Sequence, residues 1–421
     1  MPVKNGAINV CYAQSGGVTA VINAAAAAAE KAVRADKRLG RFYAGQNGIL
    51  GVLQEELIET WRAPVGIWQK LRHTPGGTFG SCRIKLPPHT KDRAIYERLF
   101  AVFRAHNIGV FLYNGGNDSA DTALKITRAA KALCAPLTVT AIAKTIDNDL
   151  AMTDTCPGFG SAAKYIATTV AETTLDLAAM AATSTKVFVL EVMGRHAGWL
   201  AAAGGLAAAD DSRHLILFPE KPFIRASFIN ALQKKVHNAG YAVVVVSEGV
   251  RDKRGAFLSA GGSDAFAHRQ LGGAAPVLAE MIRLDAKVKC HWAVADYAQR
   301  SARHLASTTD LLQTEALAAA AVRYAADGKS GIMPVLHRLS DTPYRWKVIP
   351  APLAKVANKE RAMPPSFISK DGYFITTKCR RYLAPLIKGE DYPPYVNGMP
   401  KYATPQWQQT TKRLPPYQYQ S

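Results

Sequence analysis

Short apolar runs alternate along the chain with glycine-rich turns and helix-like stretches. The runs lie at residues 7–13, 109–114, 138–142, 187–192, 215–218 and 242–247. Nearly continuous runs of Val, Ile and Leu are typical of strands that are buried on both faces of a sheet. Helix-like stretches, such as residues 19–35 and 120–133, separate these runs, which predicts βαβ units with parallel strands. The predicted fold class is therefore α/β.

The composition is that of a folded chain with an excess of positive charge. Its 421 residues predict two or three domains, and 48% of them are apolar while 20% are charged. The formal net charge of +20 favours a polyanionic partner. Nucleic acid, an anionic membrane and phosphorylated small molecules all fit that description, so charge alone does not choose among them.

Cysteine usage and the N-terminus both favour the cytoplasm. No run of 18 apolar residues occurs, and the N-terminal MPVKNGAINV lacks the apolar core of a signal peptide, so we expect neither a spanning helix nor secretion. The cysteines form no CxxC pair, which argues against a zinc site and a disulfide framework. They stand singly, at Cys11, Cys82, Cys134, Cys156, Cys290 and Cys379.

Three polar or glycine-rich turns follow predicted strands, where open α/β sheets bind ligands. They are Ser15-Gly16-Gly17, residues 115–119 (GGNDS) and residues 144–149 (KTIDND). Each also has an ordinary structural interpretation: glycines allow positive φ, Asp118 could be a helix N-cap, and the last string could be a solvated turn. Two carboxylates and a lysine within six residues nevertheless suit phosphoryl transfer, with one carboxylate as base and one near Mg²⁺.

Further polar segments follow later apolar runs. Residues 193–198 (MGRHAG) come directly after one strand, residues 247–249 (SEG) after another, and residues 297–300 (YAQR) lie in a basic stretch. A glutamate after a strand can accept hydrogen bonds from sugar hydroxyls, and arginines can hold phosphate with two bonds. Five such motifs in one α/β chain favour a binding site over separate structural roles.

The motifs together resemble the 6-phosphofructokinase family, and within it the pyrophosphate-dependent branch. The resemblance runs from Ser15 to Asp310 in the family's order through SGG, GGTFGSCR, GGNDS, KTIDNDL, PGFGSAAKYIA, EVMGRHAGWLAA, SEG and YAQRSARHLAS. It implies two Rossmann-like parallel-sheet domains. It also implies reversible transfer of a phosphoryl group from pyrophosphate to the 1-hydroxyl of fructose 6-phosphate, giving fructose 1,6-bisphosphate and phosphate, with Mg²⁺ as cofactor, as in glycolysis and gluconeogenesis.

The resemblance also assigns roles to individual residues. Asp147 is implied as the base that takes the 1-hydroxyl proton, and Asp149 as a magnesium ligand. The phosphate-donor side is implied to include Gly16, Gly17 and Arg83. The side chains or backbone that contact the sugar phosphate are implied to be Thr145, Met193, Gly194, Arg195, Glu248, Tyr297 and Arg300.

Two positions imply pyrophosphate rather than ATP as the donor. ATP-using members have glycine where this chain has Asp118, whose side chain would intrude on the α-phosphate of a nucleotide. They also have glycine where this chain has Lys144, whose ammonium group can hold a pyrophosphate oxygen. Asp118 is further implied as a magnesium ligand and, with Lys144, as part of the catalytic set.

Three departures from the family pattern concern ligand binding, and a fourth, Ala143 in place of proline before Lys144, concerns only the turn. Asn117 replaces the usual aspartate at the magnesium site and offers a neutral oxygen instead. Lys186 and His291 stand where many members place arginines that reach the sugar phosphate across a subunit boundary. Lysine lacks the two-bonded geometry of arginine, and histidine is only partly charged near neutrality. We therefore expect looser acceptor selection, with sedoheptulose 7-phosphate as a second candidate.

The resemblance divides the chain into three parts. Residues 1–157 with about 300–345 are predicted to form the donor domain, and 158–299 with about 346–382 the sugar-phosphate domain. Residues 383–421 contain seven of the 23 prolines and are predicted as an extended tail on the surface or against another subunit. The family implies a homodimer or homotetramer. A regulatory, catalytically weak relative and a nucleic-acid-binding protein remain the alternatives; the second lacks any known nucleic-acid motif.

Overall fold

The computed structural model describes residues 7–258 and 273–419, and the described chain contains two main sheets. Residues 1–6, 259–272 and 420–421, which belong to the predicted domain and tail ranges, lie outside the described residues. The strands are β1 (Ile8–Gln14), β2 (Leu39–Gly45), β3 (Leu57–Glu59), β4 (Ile108–Gly115), β5 (Thr138–Ala143), β6 (Val187–Val192), β7 (His214–Leu217), β8 (Ala242–Ser247), β9 (Cys290–Val294), β10 (Ile332–Asp341), β11 (Tyr344–Pro352), β12 (Tyr395–Val396) and β13 (Met399–Pro400).

Helices cover both faces of these sheets. They are α1 (Ile22–Ala35), α2 (Ile49–Leu53), α3 (Ile67–Arg72), α4 (Arg93–Ala105), α5 (Asn117–Ala132), α6 (Phe159–Met180), α7 (Trp199–Gly204), α8 (Arg225–Ala239), α9 (Ala274–Met281), α10 (Ala298–Ser301), α11 (Thr308–Ala326), α12 (Leu353–Val356) and α13 (Thr377–Leu383). Short 3₁₀ or π turns occur at Thr60–Arg62, Gly205–Ala207, Ile282–Ala286, Arg303–Leu305, Pro365–Phe367 and Ala384–Ile387.

The first sheet has seven strands in the order β11-β10-β5-β4-β1-β2-β3. Its central strands are parallel, and antiparallel strands close both edges. Strand β1 shows why both faces are buried: Val10 and Tyr12 pack towards α1 and α11, whereas Cys11 and Ala13 pack towards α4 and α5. This two-sided burial is the reason that the strand reads as a continuous apolar run.

The second sheet is fully parallel, in the order β7-β8-β6-β9. Leu190 and Val192 pack on the side of α6 and α7, and Val187 and Val189 on the side of α8 and α9. The two sheets confirm the predicted α/β class. The six predicted strands agree with the observed ones to within one residue at each end.

A two-stranded hairpin lies across the predicted boundary near residue 345. Strands β10 and β11 form one antiparallel hairpin, and both lie in the first sheet. The hairpin therefore carries the first sheet to Pro352, past the predicted boundary. The sequence did not predict this hairpin or β9, because exposed and buried residues are mixed along all three strands. Two of these strands, β9 and β11, lie at sheet edges.

The C-terminal tail packs along the part of the molecule that carries the first sheet. The Trp407 ring lies 5.0 Å from the Phe79 ring and 5.9 Å from the Trp68 ring, between centroids. Farther on, the backbone N–H groups of Arg413 and Leu414 donate to the buried carboxylate of Glu55, at 2.7 and 3.0 Å. Specific contacts thus anchor this extended segment without regular secondary structure over most of its length.

Candidate active site

The carboxyl ends of three adjacent strands of the first sheet bring the predicted donor loops together. Strand β4 lies between β1 and β5, and the last residues of the three strands are in register. Gln14 of β1 pairs with Asn114 of β4, and Gly115 of β4 pairs with Ala143 of β5. The donor turn (residues 15–17), the first turn of α5 and the base loop (residues 144–149) follow these strand ends directly. The sheet topology therefore explains why motifs separated by more than 100 residues share one site.

Lys144 points into the donor turn. Its side chain is buried, and Nζ donates to the carbonyl oxygen of Gly17 at 2.5 Å. Gly16 has a φ of +75°, and a Cβ added there would lie 3.4 Å from that Nζ. A Cβ on Gly17 would lie 2.5 Å from Nη1 of Arg300 and 4.0 Å from Nη2 of Arg83. The two glycines therefore let three cationic side chains approach the backbone of one turn.

This concentration of positive charge changes the proton affinity of Lys144. Burial lowers the pKa of the lysine to about 8, and the positive charge of Arg300 acts in the same direction. Arg83 adds a smaller effect of that sign, while Asp147 and Asp149 oppose it. A buried ammonium group among two guanidinium groups is suited to a polyanion, which relieves the repulsion among the three cations.

Asp147 is half-buried and interacts with charged groups that follow strands of both sheets. Burial raises its pKa to about 7, and the negative charges of Asp149 and Glu248 add to the rise, while Lys144 and Arg195 oppose it. Its backbone N–H donates to Oγ1 of Thr145 at 3.1 Å. A carboxylate whose pKa lies near neutrality is an effective general base, because it binds a proton firmly and is still ionised in part of the population.

The second sheet contributes the segment after β6 and the residue after β8. The N–H of Gly194 donates to Oε1 of Glu248 at 3.3 Å, and the hydroxyl of Ser247 donates to the carbonyl oxygen of Gly194 at 2.5 Å. Gly194 has a φ of +134°, which favours glycine. Burial raises the pKa of Glu248, and Nε of Arg195 is buried without a hydrogen-bond partner. These polar groups face the base from the side predicted for the sugar phosphate.

The YAQR segment connects the two sides of the site. Tyr297 is 65% exposed, and the guanidinium carbon of Arg300 lies 3.9 Å from the centre of its ring. Between them, buried Gln299 accepts a hydrogen bond from the N–H of Met193 at 3.2 Å. Gln299 received no role from the sequence, although it lies inside the motif. It ties the segment that carries Arg300 to the MGR segment.

Lys186 and His291 lie away from this cluster within one chain. Lys186 directly precedes β6, and its Nζ donates to the carbonyl oxygens of Ala181 and Ala182. His291 is exposed on the edge strand β9 and pairs with Phe188 near the start of β6. At about 3.3 Å per residue, the length of β6 separates Lys186 from the MGR segment by roughly 20 Å. Neither side chain completes the site from within its own chain.

The predicted magnesium ligands offer two carboxylates and an amide. Among the residues that the structure describes, no group of three His, Cys, Asp or Glu side chains could hold a metal by itself. Asp118 lies in the first turn of α5 with Lys85 Nζ at 3.6 Å, and Asp149 ends the base loop with a pKa raised by burial. Two carboxylates fit Mg²⁺, which usually takes its other ligands from phosphate and water. Asn117 is already engaged, since its Oδ1 accepts the N–H of Asn358 at 2.6 Å.

Fold and site together define an α/β phosphotransferase: a cationic cradle for a phosphate donor faces a carboxylate base and a second polar side. The phosphofructokinase family model matches residues 9–325. The pyrophosphate–fructose 6-phosphate 1-phosphotransferase of Halomonas elongata is 55% identical over 413 residues, covering 97% of this chain and 99% of its own. The enzyme of the same name from Methylococcus capsulatus is 56% identical over 402 residues, covering 94% and 95%.

A solved structure agrees with these relatives. The crystal structure of a pyrophosphate-dependent phosphofructokinase from Nitrosospira multiformis matches with a TM-score of 0.91 and 50% identity, covering 97% of this chain and 99% of that one. The chain belongs to the phosphofructokinase family, and the resemblance that the motifs indicated is confirmed.

Proposed function

We propose that the protein transfers a phosphoryl group from pyrophosphate to the 1-hydroxyl of fructose 6-phosphate, reversibly. The products are fructose 1,6-bisphosphate and orthophosphate. The choice of donor rests on Lys144. This lysine is buried where the donor turn meets the base loop, and its Nζ donates a hydrogen bond to the carbonyl oxygen of Gly17. The relatives with more than 50% identity over nearly their whole length carry names that state this same reaction.

The chain's own residues divide the work between donor and acceptor. Lys144 and Arg83 hold the phosphate oxygens of pyrophosphate, with the glycines of the donor turn allowing the close approach. Arg300, which lies beside Gly17, holds the phosphate of the sugar. Asp147 takes the proton from the 1-hydroxyl. The freed oxygen then bonds to one phosphorus of pyrophosphate as the bridging P–O bond breaks, and orthophosphate leaves. Glu248 accepts hydrogen bonds from sugar hydroxyls, and Arg195 binds the acceptor.

Magnesium belongs to this proposal. Asp118 and Asp149 would hold the ion. The family pattern also implies a ligand at Asn117, but Oδ1 of Asn117 accepts the N–H of Asn358, so phosphate or water would supply that ligand. When bound, the ion neutralises charge on the transferring phosphate group. Omission of the metal should abolish turnover, and titration of Mg²⁺ into the enzyme with pyrophosphate should restore it.

The acceptor site extends the proposal to a second copy of the chain. Lys186 and His291 would reach the sugar phosphate of a neighbouring subunit in a homodimer or homotetramer. The exposed residues Trp292 and Val294 of strand β9 support an interface there, because 47% and 42% of their surface is exposed in one chain. A lysine and a histidine in place of arginines would also admit sedoheptulose 7-phosphate. Light scattering tests the assembly, and a comparison of the two acceptors tests the selectivity.

Cysteine usage supports the cytoplasm as the place of action. All six cysteines are free, and two of them, Cys11 and Cys156, are buried in the first core. Free thiols are typical of a reducing compartment. No described helix is long and apolar enough to cross a bilayer.

Product analysis by ³¹P nuclear magnetic resonance tests the reaction itself. With fructose 6-phosphate, Mg²⁺ and pyrophosphate, the spectrum should gain one sugar 1-phosphate signal and one orthophosphate for each pyrophosphate consumed. Two orthophosphates for each pyrophosphate, without a new sugar phosphate, would mean hydrolysis and would contradict the proposal. The regulatory alternative predicts no turnover in either direction.

A further inference from the structure

The segment Asn358–Arg361 contacts both acidic loops of the candidate site, although it belongs to none of the sequence motifs. It follows α12 and lies beyond residue 325, where the match to the family model ends. One end of the segment contacts the first turn of α5, which carries Asp118. The other end contacts the base loop. The segment is therefore hydrogen-bonded to both loops.

The contact with α5 requires an amide at position 117. The N–H of Asn358 donates to Oδ1 of Asn117 at 2.6 Å, and Nδ2 of Asn117 donates to the carbonyl oxygen of Lys359 at 3.1 Å. The side chain of Asn358 adds a bond to Oδ1 of Asp121 at 2.8 Å. Only a carboxamide both accepts and donates here, since an ionised aspartate is an acceptor alone. Aspartate at 117 would face the Lys359 carbonyl with a second acceptor.

The contact with the base loop is made by Arg361. Its backbone N–H donates to the carbonyl oxygen of Asp149 at 2.7 Å, and Glu360 forms an antiparallel bridge with Leu150. Its guanidinium group donates to the carbonyl oxygen of Asn148, at 2.7 Å from Nη2 and 3.2 Å from Nε. Nη1 donates to the carbonyl oxygens that follow, at 2.7 Å for residue 153 and 2.5 Å for residue 154.

The guanidinium group thus fixes the direction of the backbone carbonyl groups in and directly after the base loop. Asn148 lies between Asp147 and Asp149 and has a φ of +55°, in the left-handed region that asparagine adopts more readily than most residues. The indole ring of Trp199 covers the guanidinium group at 4.6 Å. The half-buried guanidinium group directs its donors to three backbone carbonyl groups, so this arrangement is a specific anchor for them.

We propose that Asn358–Arg361 is a clamp that positions the two acidic loops, with Asn117 and Arg361 as positioning residues for the reaction. This inference rests on the proposed function. It gives a reason for the departure from the family pattern at position 117: asparagine is needed for the clamp. Arg361 acts through the direction of the loop backbone, and lysine cannot replace it because an ammonium group lacks the planar fork.

Two substitutions with matched controls test the clamp. Asn117→Asp and Arg361→Lys should each lower kcat about ten- to a hundredfold, since misplacement of a reacting group by about 1 Å costs on that order. The KM for pyrophosphate and for fructose 6-phosphate should change less than the kcat. Asn238→Asp on α8 and Arg345→Lys on β11, both at exposed positions, are the controls and should keep wild-type rates.

A rescue experiment separates positioning from general stability. In Arg361→Ala, guanidinium at low millimolar concentration, far below denaturing levels, should restore part of the lost kcat, whereas sodium chloride should not. Hydrogen–deuterium exchange without any substrate provides the second measurement. Peptides covering residues 145–156 should exchange several-fold faster in Arg361→Lys, while peptides covering β6 should keep their wild-type rates.

Three results would overturn the clamp. Wild-type kcat in both substituted enzymes would do so, as would loss of kcat with a uniform rise in exchange over the whole chain. An Asn117→Asp enzyme that is more active at limiting Mg²⁺ would assign that position to the metal instead. The exchange measurement needs no turnover, so it tests the clamp even if the enzyme fails to use pyrophosphate.

Discussion

Replacement of Lys144 by methionine tests the donor site most sharply. Methionine keeps most of the length and the apolar stem but removes the charge and the bond to the Gly17 carbonyl oxygen. A hydrogen bond to a charged group contributes about 1.5–3 kcal/mol. Because Lys144 is only 5% exposed, solvent screening reduces this little. The KM for pyrophosphate should therefore rise about 10- to 150-fold in Lys144→Met, since each 1.4 kcal/mol corresponds to about tenfold.

The pH dependence supplies a second, independent readout. The pKa of Lys144 is lowered to about 8, so the side chain is charged below that pH and loses its charge above it. The kcat/KM for pyrophosphate should fall as the pH rises through 8, because this ratio reports the ionisation of the free enzyme. In Lys144→Met that fall should be absent. Ionisation of pyrophosphate itself affects both enzymes equally, so the difference between the two pH profiles reports Lys144 alone.

The assay is the aldolase-coupled initial rate at saturating fructose 6-phosphate, measured between pH 6 and 10 at constant ionic strength. The KM for fructose 6-phosphate should stay within about threefold of wild type, since Lys144 is assigned to the donor. If Lys144→Met retains both the KM for pyrophosphate and the decline above pH 8, the lysine does not bind the donor. The proposed cradle would then be wrong.

Three other substitutions follow from the site. Asp147→Asn should lower kcat about 10²- to 10⁴-fold with little change in the KM for pyrophosphate, and retention of more than about a tenth of the rate would make the carboxylate structural. Arg300→Ala should raise the KM for fructose 6-phosphate about 10- to 100-fold; the decline attributed to Lys144 should also move to higher pH, because Arg300 lowers that pKa. His291→Arg should lower the KM for the acceptor, and an unchanged KM would remove His291 from the site.

Most of the site motifs could be predicted because they follow strands that are buried on both faces. Such strands read as continuous apolar runs, and parallel strands bring their carboxyl ends to one edge of the sheet. The position of Lys144 against the donor turn follows from that topology. Arg300 reaches the same turn from the segment after edge strand β9, which the sequence did not predict. The motifs at the strand ends and the α/β fold could therefore be predicted from the sequence alone.

Contacts between distant segments were not accessible in the same way. Arg361 lies 213 residues from Asn148, in a segment whose sequence shows no apolar period and no glycine-rich turn. Its role depends on which carbonyl groups the fold places around it. Distance along the sequence can also mislead. Lys186 lies only seven residues before the MGR segment, yet strand β6 places the two at opposite ends of the strand.

The choice between pyrophosphate and ATP tests the central claim most directly. Asp118 would lie beside the α-phosphate of a nucleotide, and two like charges about 4 Å apart repel by ~1 kcal/mol in water and ~4 kcal/mol at an effective dielectric of 20. Asp118 is about one-third exposed, so the cost lies between these limits. Initial rates with equal concentrations of the two donors, at saturating fructose 6-phosphate and Mg²⁺, should favour pyrophosphate by at least about fivefold. Comparable rates with ATP would contradict the assignment of Asp118 and Lys144 as the residues that select the donor.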